Sequence, residues 1–138
     1  MITAPLLIAA ALPASTGTLD LSIIGLRNTH GNVLVCLTAN PRAFPDCSRD
    51  PLSHRMTVAA NGAASLRFPD IAFGEYAVSL IHDENGNGKL DTRMMIPREG
   101  FGFSRNPVIV FGPPKFGAAE FAVGAGETAQ TVRMKYMF

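Results

Sequence analysis

The sequence predicts an all-β protein, built as a single antiparallel β-sandwich of about seven short strands. Two observations predict this fold class. Glycine (13) and proline (10) are frequent and only 17% of the 138 residues are charged, a balance that is typical of turn-rich β proteins. In addition, apolar residues recur with a period of two in several short segments, whereas no stretch shows a helical period.

The N-terminal segment predicts a secretory signal peptide over residues 1–14. An apolar run from Leu6 to Leu12 is followed by small residues, and the run is too short to span a bilayer. The basic n-region is missing, because the first Lys or Arg is Arg27, and an apolar first strand is the alternative interpretation. With cleavage near Ala14, residues 15–138 form one periplasmic or secreted domain without a transmembrane segment.

The first two strands follow this segment. "TLDLSIIGL" alternates apolar and polar residues up to Ile23 and Ile24, where the phase slips, and this predicts a strand with a bulge. After the turn "NTHGN", the apolar segment "VLVCLTA" predicts a buried strand, and a polar, proline-containing loop extends from Asn40 to Arg55.

Two cysteines are present. Cys36 lies in the second predicted strand and Cys47 in the loop after it. In an exported protein this pair predicts a disulfide, which stabilises the fold by about 3 kcal/mol in the chain-entropy model. Two unpaired thiols are the alternative.

The later strands have clear patterns. "MTVAANGAASLRF" predicts a β-hairpin with Asn61 and Gly62 as its two-residue turn. "EYAVSLIH" predicts a strand in which Tyr76 and His82 share a face, and the "FGEY" that leads into it matches part of the tyrosine-corner pattern. "AEFAV" and "TAQTVRMKYMF" predict the last two strands.

The segment "DENGNGKLD" predicts a calcium loop. Asp83, Asn85 and Asn87 alternate as in the calcium motif D-x-[DN]-x-[DN]-G, and Gly88 supplies the glycine. Short oxygen-bearing side chains that alternate on a tight turn converge on one point, as a hard cation requires. The predicted ligands of calcium are Asp83, Asn85, Asn87, the backbone carbonyl of Lys89, Asp91 and Glu99.

The match to an EF-hand is partial. Met94 occupies the position at which a bidentate Glu completes the calcium shell, and Glu84 is a further candidate ligand. With two certain carboxylates, the expected dissociation constant is roughly 10⁻⁴ to 10⁻³ M. A polar turn without metal is the alternative, because Asn-Gly occurs twice in succession.

The segment from Thr92 to Ala118 is rich in Gly, Pro and Phe and predicts a long loop. One interpretation is a recognition loop for a peptide, a glycan or another envelope protein. Its candidate residues are Phe101, Phe103, Phe111 and Phe116. The alternative is a satellite core, in which Phe101 and Phe103 pack against the calcium-type loop instead of standing in solvent.

Two segments, "GEYAVSLIHDENGNGKLDTRMMIPREGFGFSRNP" and "FGPPKFGAAEF", closely resemble the bacterial family called domain of unknown function 2141. The resemblance covers Leu19 to Phe138 and is most specific from Tyr76 to Pro107. It implies an exported bacterial protein with a prealbumin-like or immunoglobulin-like sandwich, and it implies no activity. The cysteine pair is outside the family's pattern, so the disulfide rests on the cysteines' spacing and on export.

These observations favour a non-enzymatic module of the bacterial envelope, with a binding or structural role and a calcium-type loop. The alternative is a hydrolase that uses His82, Asp83 and Glu99, although a nucleophile elbow such as G-x-S-x-G is absent. Convergence of these three side chains in a deep cleft would favour the hydrolase. The formal net charge of +1 gives no indication of nucleic acid or an anionic membrane as partner.

Overall fold

The structure, a computed structural model, describes residues 3–5, 15–88, 92–93, 96–97 and 99–138. The predicted signal peptide, residues 1–14, lies outside the described residues except for 3–5. No helix in the part of the chain that the structure describes has both the length and the apolar character needed to cross a membrane.

Ten strands and one short α-helix are present among the described residues. They are β1 (Thr16–Ile24), β2 (Asn32–Thr38), β3 (His54–Ala59), β4 (Ser65–Ala72), β5 (Gly74–Asp83), β6 (Thr92–Arg93), β7 (Ile96–Pro97), β8 (Gly100–Phe103), α1 (Phe116–Ala119), β9 (Phe121–Val123) and β10 (Glu127–Arg133). Two 3₁₀ turns, Cys47–Arg49 and Ala60–Gly62, flank β3.

Two main sheets account for most of these strands. One has the order β10-β1-β4, and the other has the order β3-β2-β5-β8, with β9 paired to the start of β5. The pairs are antiparallel except β1 with β10, which are parallel. The all-β prediction is therefore confirmed, whereas the prediction of a purely antiparallel arrangement is wrong.

Both sheets contribute to one hydrophobic core. Leu19, Leu21 and Ile23 face inward from β1, and Val33 and Leu37 face them from β2. Burying each of these side chains stabilises the fold by about 1.5–3 kcal/mol.

The phase slip predicted in β1 lies elsewhere. The alternation continues through Ile23, and Ile24 faces outward because it is the next residue in the same alternation. The irregularity occurs between Gly17 and Leu19, where the register with β4 shifts, and Asp70 on β4 adopts a left-handed φ of 58°.

The predicted hairpin over residues 56–68 is wrong. β3 pairs with β2 and β4 pairs with β1, so the segment between them passes from one sheet to the other. Asn61 and Gly62 lie in a 3₁₀ turn there, and Ala60 and Ala63 are buried beside them. A type I′ turn requires its two strands to be neighbours in one sheet, and these strands instead cover the core from opposite sides.

The segment from Thr92 to Ala118 is not one long loop. It contains β6 and β7, and β8 pairs with β5 along its whole length. Phe101 and Phe103 therefore lie on a strand, and Phe116 begins α1.

Two local predictions are confirmed. Cys36 and Cys47 form a disulfide with their Cα atoms 5.5 Å apart. The hydroxyl of Tyr76 donates a hydrogen bond of 2.8 Å to the carbonyl of Ala72, which is the geometry of a tyrosine corner.

Candidate functional site

The calcium-type loop begins where β5 ends, and β5 carries two different faces. Val78, Leu80 and His82 point into the shared core. Ser79, Ile81 and Asp83 alternate with them and lie on the outer face of the sheet. Because β5 is flanked by β2 and β8, the start of the loop is held from both sides.

Asp83 is the centre of the described part of the loop. Its carboxylate is fully buried, Oδ1 accepts the N–H of Asn87 at 3.2 Å, and Oδ2 accepts the N–H of Gly88 at 2.6 Å. Gly86 and Gly88 have φ of 69° and 80°, which lets the backbone curl around the carboxylate. The side-chain oxygen of Asn85 also accepts the N–H of Asn87, at 3.2 Å.

Glu99 is the second buried carboxylate at this end of the sheet. Its Oε2 accepts the N–H of Glu84 at 2.9 Å. The pairing of His82 with Gly100 places Glu99 beside Asp83 in the register. Within the described residues no group of three or more His, Cys, Asp and Glu side chains is arranged to hold a metal ion. The predicted ligands Lys89 and Asp91 lie outside the described residues.

Glu84 points away from the predicted ligands. Its Oε1 lies 2.6 Å from Nε of Arg27, and Nδ2 of Asn28 lies 3.5 Å from Oε2. Partial burial acts to raise the pKa of Glu84, but the hydrogen bonds from Arg27 and Asn28 outweigh it and hold the pKa below its usual value. The Arg27 guanidinium also lies 4.4 Å from the centre of the Tyr136 ring.

His82 lies in the interior at the end of β5, beside the loop, with its Nδ1 3.9 Å from Oε1 of Glu84. Its ring is fully buried, with Nε2 2.8 Å from the carbonyl of His30 and Nδ1 2.7 Å from the hydroxyl of Tyr136. A carbonyl only accepts, so Nε2 carries a hydrogen, and in the neutral ring Nδ1 accepts from Tyr136. Burial raises the pKa of that tyrosine. His82 and Asp83 lie on opposite faces of β5, so the three residues of the hydrolase hypothesis do not converge.

Sequence reasoning missed the turn that supports the loop. Gly31 has φ of +65°, and a Cβ there would lie 2.6 Å from the carbonyl oxygen of Glu84. Only glycine allows this approach of the turn to the first residues of the loop. The sequence contained no signal for the contacts of Arg27 and Tyr136, which lie more than 50 positions from their partners.

A groove of about 810 Å³ runs along the outer face of the β3-β2-β5 sheet. Leu34 and Ile81 form its floor. One side is bounded by the loop from Asp83 to Gly88, and the other by the disulfide-bonded segment that includes Asp46 and Ser48. Hydrogen bonds from the Ser48 side chain and backbone lower the pKa of Asp46.

The four phenylalanines of the predicted recognition loop separate into two groups. Phe101, Phe103 and Phe116 are buried in a second hydrophobic cluster with Phe44, whereas Phe111 is 94% exposed. The predicted burial of Phe101 and Phe103 is confirmed. Phe103 packs edge-on against Phe44, with ring centres 5.9 Å apart. The predicted contact of the two rings with the loop stays a prediction, because residues 89–91 lie outside the described residues.

Comparison with protein families matches residues 21–131 to the family described as "Uncharacterized protein conserved in bacteria (DUF2141)". The chain belongs to this family, as its sequence resemblance indicated. Comparisons with curated proteins and with solved structures found no match.

Proposed function

We propose that this protein is an exported, non-enzymatic module of the bacterial envelope, in which calcium holds one side of a ligand-binding groove. The observation that carries the proposal is the arrangement around Asp83. A fully buried carboxylate accepts one backbone N–H on each oxygen, and the loop curls around it. Among the described residues these are the hydrogen bonds that the carboxylate accepts, and the second lone pair of each oxygen would bind the cation.

The proposed donor set suits calcium. It consists of Asp83, Asn85, Asn87, Glu99 and Asp91 with the carbonyl of Lys89, all of which present oxygen. Hard cations prefer carboxylate, amide and carbonyl oxygens, and calcium accepts more of them, in less regular geometry, than magnesium does. Burial of negative charge is costly without a counter-charge, so a bound cation would stabilise this loop.

The groove supports a binding role for the module. Its apolar floor and polar sides suit an extended peptide, a glycan or a segment of another envelope protein. The loop from Asp83 to Gly88 forms part of its boundary, so calcium would fix the shape of the groove.

Thermal unfolding with calcium, with magnesium and with a chelator tests whether the folded protein binds calcium. With a dissociation constant of about 0.1 mM, 2 mM calcium adds about 1.8 kcal/mol to the free energy of unfolding, from RT ln(1 + [L]/Kd). The melting temperature then rises by roughly 3–6 °C for a domain of this size. Magnesium should have a smaller effect.

Two variants make the measurement specific. Asp83→Ala should abolish the calcium response because it removes the central carboxylate, whereas Asp46→Ala, on the opposite side of the groove, should retain it. Identical wild-type curves in calcium and chelator would mean that the loop is a polar turn without metal.

Export and fold type belong to the same proposal. The intact mass of protein from a periplasmic fraction should correspond to a chain that begins near Ser15, and a full-length mass would contradict export. The tyrosine corner at Tyr76 supports a prealbumin-like or immunoglobulin-like type of sandwich.

A further inference from the structure

Residues 108–111, here called the apolar tip, expose large apolar side chains on the segment between β8 and α1. Val108 is 86%, Val110 is 76% and Phe111 is 94% exposed, whereas Ile109 packs against the second hydrophobic cluster. Side chains this exposed contact almost no other protein atom, so the tip projects from the surface. Leaving several adjacent apolar side chains in water is unfavourable unless something covers them.

The base of the tip is held firmly against β10. Arg105 and Asn106 both have left-handed φ, 63° and 47°, and turn the chain out of β8. The side chain of Asn106 donates to the carbonyl of Thr131 at 3.0 Å and accepts the N–H of Arg133 at 2.8 Å. On the far side, Phe116 is buried in the second cluster. The projection is therefore a built feature of the fold and not a frayed end.

The charges around the tip are predominantly positive. Residues 104–119 include Arg105 and Lys115 and no Asp or Glu. Glu120 follows, and its carbonyl accepts from the Arg105 guanidinium at 3.5 Å, so it is the acidic residue beside this basic group. The ammonium of Lys135 donates to the carbonyl of Pro107 at 2.9 Å, and Arg133 lies at the same base. The near-neutral charge of the whole chain conceals this local excess of basic residues.

We propose that the apolar tip inserts into an anionic lipid surface. A projecting apolar tip needs either a matching protein pocket or a soft apolar medium, and the basic residues at its base favour a surface of anionic headgroups. Phe111 would enter the boundary between headgroups and acyl chains, while Arg105, Lys115 and Lys135 remain at headgroup level. This inference needs neither calcium nor the groove, and it goes beyond the proposed function.

Vesicle co-sedimentation of the full chain tests the proposal. Wild-type protein, in chelator, is mixed with vesicles of phosphatidylcholine alone or with added phosphatidylglycerol. Binding should be strong on the anionic vesicles and should decrease with salt. Phe111→Ser should reduce the partition coefficient about tenfold or more, since one buried Phe contributes at least that factor.

Leu52→Ser is the matched control. Leu52 is 86% exposed but lies outside the apolar tip, so its replacement should leave vesicle binding unchanged. Both positions are highly exposed, so neither substitution should impair folding, and the thermal melts should be superimposable.

A fluorescence readout reports insertion directly, because the chain contains no tryptophan. Phe111→Trp should shift its emission to shorter wavelength on anionic vesicles, whereas Leu52→Trp should not. Equal binding of wild type and Phe111→Ser, or no emission shift of Phe111→Trp, would overturn the proposal. Absence of vesicle binding in every composition would also overturn it and would indicate a protein pocket as the partner of the tip.

Discussion

The two sides of the groove are held in different ways. The segment around Cys47 is bonded covalently to β2 through Cys36. The loop that begins at Asp83 is instead ordered by hydrogen bonds to one buried carboxylate and by contacts with the turn at Gly31. The segment around Cys47 keeps its shape as long as the disulfide remains oxidised. The conformation of the loop depends instead on the charge of the Asp83 carboxylate. Under the proposed function, the loop side would therefore be the side of the groove that responds to a bound cation.

Loss of the disulfide should have the largest effect on stability. Replacing Cys36 and Cys47 by Ala should lower the free energy of unfolding by about 3 kcal/mol, because the unfolded chain regains the freedom of the closed loop. Urea denaturation of the double variant, and of wild type under a reducing agent, measures this loss.

The same double variant tests whether the two sides are independent. Its calcium-dependent rise in melting temperature should equal that of wild type, since separate sites contribute additively. If the calcium response disappeared with the disulfide, the comparison between the two sides would be wrong.

Gly31→Ala, on the loop side of the groove, should have an intermediate effect on the free energy of unfolding. It forces a side chain into a left-handed φ of +65° and against the carbonyl of Glu84, which should cost about 2 kcal/mol. Chemical denaturation measures the loss.

Gly112→Ala separates the cost of the left-handed backbone angle from the cost of the clash with the carbonyl of Glu84. Gly112 has a similar φ of +63°, but an added Cβ would meet no atom within 4 Å. If both variants lose the same stability, the backbone angle explains the whole effect, and the turn at Gly31 does not support the loop.

Among the features compared here, the ion pair between Arg27 and Glu84 should contribute least to the free energy of unfolding. Its side chains are 37% and 23% exposed, so the pair should contribute roughly 0.2–1 kcal/mol to the cost of Arg27→Ala, which also removes the contact with the Tyr136 ring. Because the pKa of Glu84 is lowered in the folded state, the contribution is complete above the unfolded pKa of about 4.3 and is lost as the pH falls through the folded value.

Denaturation curves at pH 7 and pH 3 for wild type and Arg27→Ala measure this contribution, and the difference between the two proteins should shrink at pH 3. The pair Arg67 and Glu127, which is about 60% exposed on both sides, provides the control. Arg67→Ala should change stability little at either pH. An equal effect of both substitutions would show that the Arg27 pair does not hold the loop.

The sequence alone determined the features that depend on local pattern. Period-two alternation identified β1 and β5, because burial of one strand face requires it, and a short apolar run identified β2 as a buried strand. The spacing of Asp83, Asn85 and Asn87 marked the loop, and two cysteines in a chain with a predicted signal peptide pointed to one disulfide.

Which segments lie side by side depends on tertiary packing. Alternation shows which face of a strand is buried but not which strand is its neighbour, so β3 and β4 were assigned to one hairpin and the parallel partner of β1 was missed. The support of the loop by Arg27 and Gly31 arises from contacts between distant segments. Such contacts are set by the packing of two sheets around one core. The spacing of residues along the sequence does not show which segments pack together in this way.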